Sequence, residues 1–160
     1  MELLSLADQL PRRSVATGEV LIVDGEPAPG LFVLLEGALR ISKSDVLVAS
    51  VSDRGSCVGE LALLLGGPAT ADVAASEPSV VAVIADASAM LDGDSGLPLA
   101  LARLLARRLQ VMTTYLVDLK QQYADHEGGL GMVDIVLDGL MRSSGPKSEL
   151  GSDRDPDPEY

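Results

Sequence analysis

Leu3, Leu4, Leu6, Ala7 and Leu10 fall near one side of a short helix, and Pro11 ends it by disfavouring helical geometry in the residue before it. The pattern predicts a docking helix over about 2–10. From Gly18 to about Ile84 the apolar positions come in short runs instead: Val20 to Val23, Leu31 to Leu35, Leu39 to Ser42, Val46 to Val51, Ala71 to Ala75 and Val80 to Ile84. Glycines and Asp or Ser clusters separate them. Such spacing predicts a mainly β fold, a small antiparallel barrel or sandwich over about 14–86. Asp24-Gly25-Glu26-Pro27 and Glu36-Gly37 sit where the chain must reverse, since glycine reaches backbone angles that residues with a Cβ avoid.

After Gly96 the period lengthens and predicts a helix over about 97–124, with Pro98 suited to its first turn. Ala102, Leu105, Leu109, Met112, Leu116, Leu119 and Tyr123 alternate spacings of three and four, the a/d seam of a coiled coil. That seam predicts a homodimer paired through this helix; the alternative is a lone amphipathic helix lying on its own barrel. Gly128, Gly129 and Gly131 stop the helix. Met132, Val133, Val136, Leu137, Leu140 and Met141 then form a narrow apolar face on a last helix over about 130–142, to be covered by a partner subunit, the barrel mouth or another protein. Residues 143–160, rich in Ser, Gly, Pro and Asp, offer too little apolar area to offset the entropy of ordering and read as a disordered tail.

Composition sharpens this picture. Hydrophobic residues make up 47% and aromatic residues 2%, so the core of the single domain expected over 1–142 must be aliphatic. With 24 acidic and 12 basic residues the formal charge is -12, which repels nucleic acid and anionic membrane surfaces. Cys57 is the only cysteine; it permits no intramolecular disulfide and reads as a small packed hydrophobe. No basic stretch followed by an unbroken apolar run opens the chain, which together with the lone cysteine predicts a cytoplasmic setting.

Catalytic constellations are sparse. His126 is the only histidine and stands beside a glycine pair, so neither a zinc site nor a histidine-based triad has its usual ligands or base. Asp92 and Asp94 read as a solvated turn, and no Gly-x-x-x-x-Gly-Lys phosphate loop occurs. The chain is expected not to be an enzyme and to carry no cofactor or metal.

The informative segment is Val58-Gly59-Glu60-Leu61-Ala62-Leu63-Leu64-Leu65-Gly66-Gly67-Pro68-Ala69-Thr70-Ala71. A glycine immediately before a short helix lets backbone N–H groups converge on an anion, while the next carboxylate can accept hydrogen bonds from a sugar hydroxyl. This order closely resembles the phosphate-binding cassette of cyclic-nucleotide-binding domains, found in catabolite activator proteins, kinase regulatory subunits and nucleotide-gated channels. Gly59, Glu60, Leu61, Ala62 and Thr70 match the cassette, but Ala69 stands where the family has an arginine. Gly18, Gly25 and Gly37 also fall where that family places glycines around its barrel. Ala106-Arg107-Arg108-Leu109-Gln110-Val111 looks like the long helix that follows the barrel in catabolite activators, where it forms the dimer axis and caps the ligand.

The resemblance implies a double-stranded β-helix (jelly-roll) barrel with an N-terminal helix and a long C-terminal helix. It further implies that Glu60 holds the ribose 2′-hydroxyl, that amides near Leu61 and Ala62 meet the cyclic phosphate, and that the Thr70 hydroxyl adds a contact. Thr113, with Thr114 as neighbour, matches a hydroxyl residue that reaches the base in catabolite activators. Without the arginine, binding of cAMP or cGMP is expected to be weaker; Asp72 worsens the local potential if it points inward, and Arg54 is not placed to replace the lost cation. In catabolite activators a winged helix-turn-helix domain follows the long helix; here few residues expected to be ordered follow Tyr123 and the remnant is acidic, so a DNA-binding transcription factor is not expected. The chain is either cut from a larger protein or a stand-alone module, and the tail ending at Tyr160 favours a natural end. Two functions follow: a non-catalytic cyclic-nucleotide-binding regulatory module of reduced affinity read by an unidentified protein partner, or a degenerate fold serving ligand-independent dimerisation or protein docking.

Overall fold

The run Leu31-Phe32-Val33-Leu34-Leu35 contains no polar position, and the structure buries it from both sides as β3 (Leu31–Glu36). Alternation along a strand sends successive side chains to opposite faces, so Phe32 and Leu34 enter one apolar cluster while Leu31, Val33 and Leu35 enter another. A strand covered on both faces shows no polar alternation, which is why the sequence here reads as an unbroken apolar run. In this computed structural model, residues 3–93, 95–122 and 131–140 are described.

Ahead of β3 lie α1 (Leu3–Ala7), β1 (Arg12–Val15) and β2 (Val20–Ile22); after it come β4 (Leu39–Lys43), β5 (Val46–Val51), β6 (Cys57–Val58), α2 (Glu60–Leu65), β7 (Asp72–Ala75), β8 (Ser79–Ile84) and α3 (Ala87–Asp92). The strands form two four-stranded antiparallel sheets, ordered β1-β8-β3-β6 and β2-β7-β4-β5. Between them lies a cluster that includes Val15, Ile22, Phe32, Leu39, Val73 and Val81. The outer face of the first sheet is covered by α1, α3 and the opening turns of α4 (Leu97–Gln122), through Leu3, Ala7, Ala87, Leu97, Ala100 and Leu101. Cys57 is buried in that second cluster, packed as the small hydrophobe expected of it.

Three features correct the sequence expectation. No ladder joins the two sheets among the described residues, so the expected jelly-roll barrel is an unclosed pair of sheets. The edges explain it: β6 is two residues long and the β2–β7 ladder shifts register between Val20 and Ile22. The strands β1 and β6 were not expected, because one is polar and the other very short. Asp92 ends α3 instead of lying in a loop; the Asp86 carboxylate accepts from the Ala89 N–H at 3.4 Å at its start.

Two close contacts fix the reversals. A Cβ on Gly37, at φ 86°, would lie 2.3 Å from the Ser79 hydroxyl, so only glycine lets these segments meet. The buried Ser79 hydroxyl accepts from the Ala38 N–H at 3.1 Å and donates to the Glu77 carbonyl at 2.8 Å. Between β1 and β2, Glu19 accepts from the Ala16 N–H at 2.9 Å and from the Arg13 guanidinium at 2.6 Å. The Ala16 hydrogen bond first, and Arg13 second, hold its carboxyl below the usual glutamate range.

The described residues divide into two units between Leu105 and Ala106, with α4 beginning in the first and ending in the second. The second unit contains the rest of α4 and α5 (Gly131–Leu140), where the Lys120 ammonium donates to the Asp134 carboxylate. Of the expected seam, Leu109 and Met112 are both 44% exposed, while Leu105, Leu116 and Leu119 are half-buried. Tyr123, His126 and the stretch 143–160 lie outside the described residues.

Candidate functional site

Gly59 ends β6 and opens α2 at φ 94°, a left-handed conformation in which its N–H and C=O turn away from the strand direction. A Cβ there would stand 2.6 Å from the Gly30 carbonyl oxygen and 3.3 Å from Ile22 Cδ1. The residue must therefore be glycine on both conformational and packing grounds. Gly59 has no side chain to cap the helix, so the first-turn amides of Leu61 and Ala62 receive no capping oxygen from the N-cap residue. Glu60, the first helical residue, is 4% exposed, which makes it one of two buried polar or charged side chains among the described residues. A carboxylate this buried is retained only where hydrogen bonds satisfy it. The Leu61 side chain is exposed, and α2 ends at the left-handed Gly66, whose N–H donates to the Ala62 carbonyl at 3.1 Å.

The chain then returns to the sheet through Ala69 and Thr70. Ala69 is 6% exposed and packs in the inter-sheet cluster with Val58, the residue before Gly59. Its backbone is locked to the β2–β3 turn: the Ala69 N–H donates to the Glu26 carbonyl and the Gly25 N–H donates to the Ala69 carbonyl, both at 2.8 Å. The two ends of the segment thus meet the same core. Thr70 is exposed, and its carbonyl accepts from the Lys43 ammonium at 2.8 Å. Asp72 accepts from the Asp24 N–H at 2.8 Å, which occupies one of its oxygens in holding the turn.

A cyclic nucleotide-binding domain model matches residues 12–90, the span that contains both sheets and the whole cassette. This segment belongs to the cyclic nucleotide-binding domain family. Within the curated relatives, the cAMP-dependent protein kinase regulatory subunit of Yarrowia lipolytica is 34% identical over 77 residues, 48% of this chain and 20% of that protein. The chain therefore spans about a fifth of that relative. Among solved structures, PKAR CBD2 bound to Sp-2Cl-cAMPS superposes with a TM-score of 0.55 at 27% identity, covering 72% of this chain and 75% of that one. The catabolite activator protein of Thermus thermophilus gives 0.54 at 27% identity, covering 74% and 59%.

Within the cyclic nucleotide-binding domain, Gly59, Glu60, Leu61 and Ala62 come together as one turn and helix start, with Ala69 packed in the inter-sheet core and Thr70 exposed next to it in the chain. Thr113 and Thr114 lie in the part of α4 that belongs to the second unit, where the Thr114 hydroxyl donates to the Gln110 carbonyl at 3.0 Å. A cavity of about 290 Å³ opens beside α2, bordered by Gly30, Gly59, Ala62, Leu63, Ala87 and Ser88, with no charged side chain on its wall. Sequence reasoning did not single out Lys43, whose ammonium the structure brings to the Thr70 carbonyl. It stands 27 positions from Thr70, and only strand alternation along β4 gave any signal of it.

No helix among the described residues is long and apolar enough to cross a membrane. None of those residues form a group of three or more side chains able to hold a metal ion.

Proposed function

We propose that residues 12–90 are the ligand-binding part of a non-catalytic regulatory module for cAMP or cGMP, built as an unclosed version of the jelly-roll β-roll. The observation that carries this reading is the buried Glu60 carboxylate directly after the left-handed Gly59. A carboxylate has about four acceptor sites on its two oxygens, and a ribose hydroxyl is a donor suited to one of them. In this reading the Glu60 carboxylate accepts from the ribose 2′-hydroxyl, the Leu61 and Ala62 amides donate to the cyclic phosphate, and the Thr70 hydroxyl adds a further contact. Ala69 offers no charge where the family has a guanidinium, so affinity is low. Ligand then shifts the population of two helix arrangements, which a partner protein reads.

A calorimetric titration with cAMP and with cGMP tests it. Saturable heat from at least one of them, abolished by Glu60→Ala in a chain that still melts cooperatively, is the expected result; no heat at millimolar ligand refutes the reading.

A second reading rests on a different observation. Leu109, Val111, Met112 and Tyr115 are all exposed on α4, an apolar surface suited to pairing two copies of the chain. If neither nucleotide binds while the chain is dimeric, the module is a dimerisation or docking element whose cassette is vestigial.

A further inference from the structure

We propose that Lys43 supplies the phosphate-binding cation in place of the missing arginine, an assignment that rests on the cyclic-nucleotide reading above. Leu39 lies in the inter-sheet core and Ile41 packs against it, and alternation puts Lys43 on that same side of β4, exposed at the strand's last position. The β4–β7 ladder is regular from Leu39 opposite Ala75 to Ser42 opposite Asp72, while on the strand's other edge the β4–β5 ladder shifts register between Ile41 and Ser42 and pairs Lys43 with Val46. Asp72, paired with Ser42, falls on the other side of the pleat from Lys43, with its carboxylate held by the Asp24 N–H.

The ammonium of Lys43 is anchored at the right place. It donates to the Thr70 carbonyl at 2.8 Å, one peptide beyond Ala69. A lysine ammonium has three donors and that bond uses one, leaving two to meet an anion. No ion pair to Lys43 occurs among the described residues, so its charge is not spent on a carboxylate. Ala69 reaches nowhere with its methyl group, and its backbone is fixed to Gly25 and Glu26. A cation arriving from the neighbouring strand therefore meets the same short stretch of backbone that an arginine at position 69 would approach from within the cassette. Lysine acts as a point charge, where arginine would form a bidentate fork; it recognises the singly charged cyclic phosphodiester with less geometric selectivity. In a chain of formal charge -12 such a local cation is what makes a second anion tolerable.

The test is calorimetric titration of the unmodified chain, Lys43→Ala and Lys43→Arg with cAMP and with adenosine, which lacks the phosphate. Lys43→Ala is expected to weaken cAMP binding about tenfold, the usual loss for one charge-assisted contact, and to leave adenosine binding unchanged. Lys43→Arg is expected to retain cAMP affinity. Unaltered cAMP affinity in Lys43→Ala, beside saturable binding by the unmodified chain, overturns the role of Lys43 and leaves the nucleotide reading intact. Equal losses for cAMP and adenosine, or a fall in melting temperature that tracks the loss, make Lys43 a structural residue and overturn it likewise. Absence of saturable heat from the unmodified chain overturns the nucleotide reading and Lys43 with it.

Discussion

Gly59 and Gly30 approach so closely that a Cβ on the first would lie 2.6 Å from the carbonyl oxygen of the second. The contact pins the start of the cassette helix to the loop before β3, so the geometry that presents Glu60 depends on the absence of a side chain one residue earlier. Gly59→Ala meets backbone rather than a yielding side chain and also places alanine at φ 94°. Left-handed strain alone costs about 1–2 kcal/mol, and the clash adds to it. A loss of at least about 2 kcal/mol is expected in urea unfolding, as a lowered midpoint with unchanged slope. A loss below about 0.5 kcal/mol would show that the loop yields freely.

Restoring the family's cation inside the cassette is the complementary change. A net gain of about 1.5–3 kcal/mol for a charge-assisted contact corresponds to roughly ten- to two-hundredfold tighter cAMP binding in Ala69→Arg. Because Ala69 is buried beside Val58, the longer side chain must leave the inter-sheet core for the ligand hollow. Unchanged affinity in a stably folded variant would mean that the Lys43 ammonium already fills the cation's place if Lys43→Ala weakens binding, and that the hollow is filled by the protein's own atoms if it does not.

The apolar seam on α4 makes a prediction about assembly. Leu109→Glu combined with Leu116→Glu places like charges along the expected contact, and sedimentation should show a monomer where the unmodified chain sediments as a dimer. An unshifted mass refutes pairing through this helix.

Glu19 gives the pH dependence its sign. Its carboxyl is held below the ordinary glutamate value, first by the Ala16 N–H and then by Arg13, so the folded state binds the proton less readily than the unfolded chain. The stabilisation is thus present above the unfolded value and disappears as pH falls through the lower folded one. Glu19→Gln should lower the melting temperature at neutral pH and converge with the unmodified chain in acid. The side chains lie at the surface, and the difference should shrink in high salt. A difference that persists undiminished under acid conditions would contradict this origin.

Phe32 tests the aliphatic core. The chain's only phenylalanine is 2% exposed between the sheets, and Phe32→Ala should cost about 3–5 kcal/mol through lost burial and the cavity left behind. Thermal unfolding measures it; a cost under about 1 kcal/mol would mean that the surrounding leucines and valines collapse into the gap.

Much of the architecture was legible where local pattern and tertiary role coincide. The run Leu31 to Leu35 announced a strand, and Val46 to Val51 was bounded correctly because turns flank it on both sides. By contrast β1 reads Arg-Arg-Ser-Val, polar at all but its last position, since it is a sheet edge that buries Val15 alone. Likewise β6 is too short to show any period, and it exists as a strand only because β3 lies beside it. The Asp86 carboxylate, a capping residue ahead of Ala-Ser-Ala-Met-Leu, was a usable sign of α3 that Gly93 and the acidic pair obscured.

By itself the sequence determined where the cassette lies, because its order of glycines, carboxylate and small residues resembles the cyclic-nucleotide-binding family over neighbouring positions. It also determined that the core is aliphatic and that a long helix follows the sheets. Only the tertiary structure decided that the ladders stop short of closing, that Glu60 is buried, and that the Lys43 ammonium meets the Thr70 carbonyl. Each of these depends on which strands lie side by side, and strand neighbours are set by long-range packing, not by spacing along the chain.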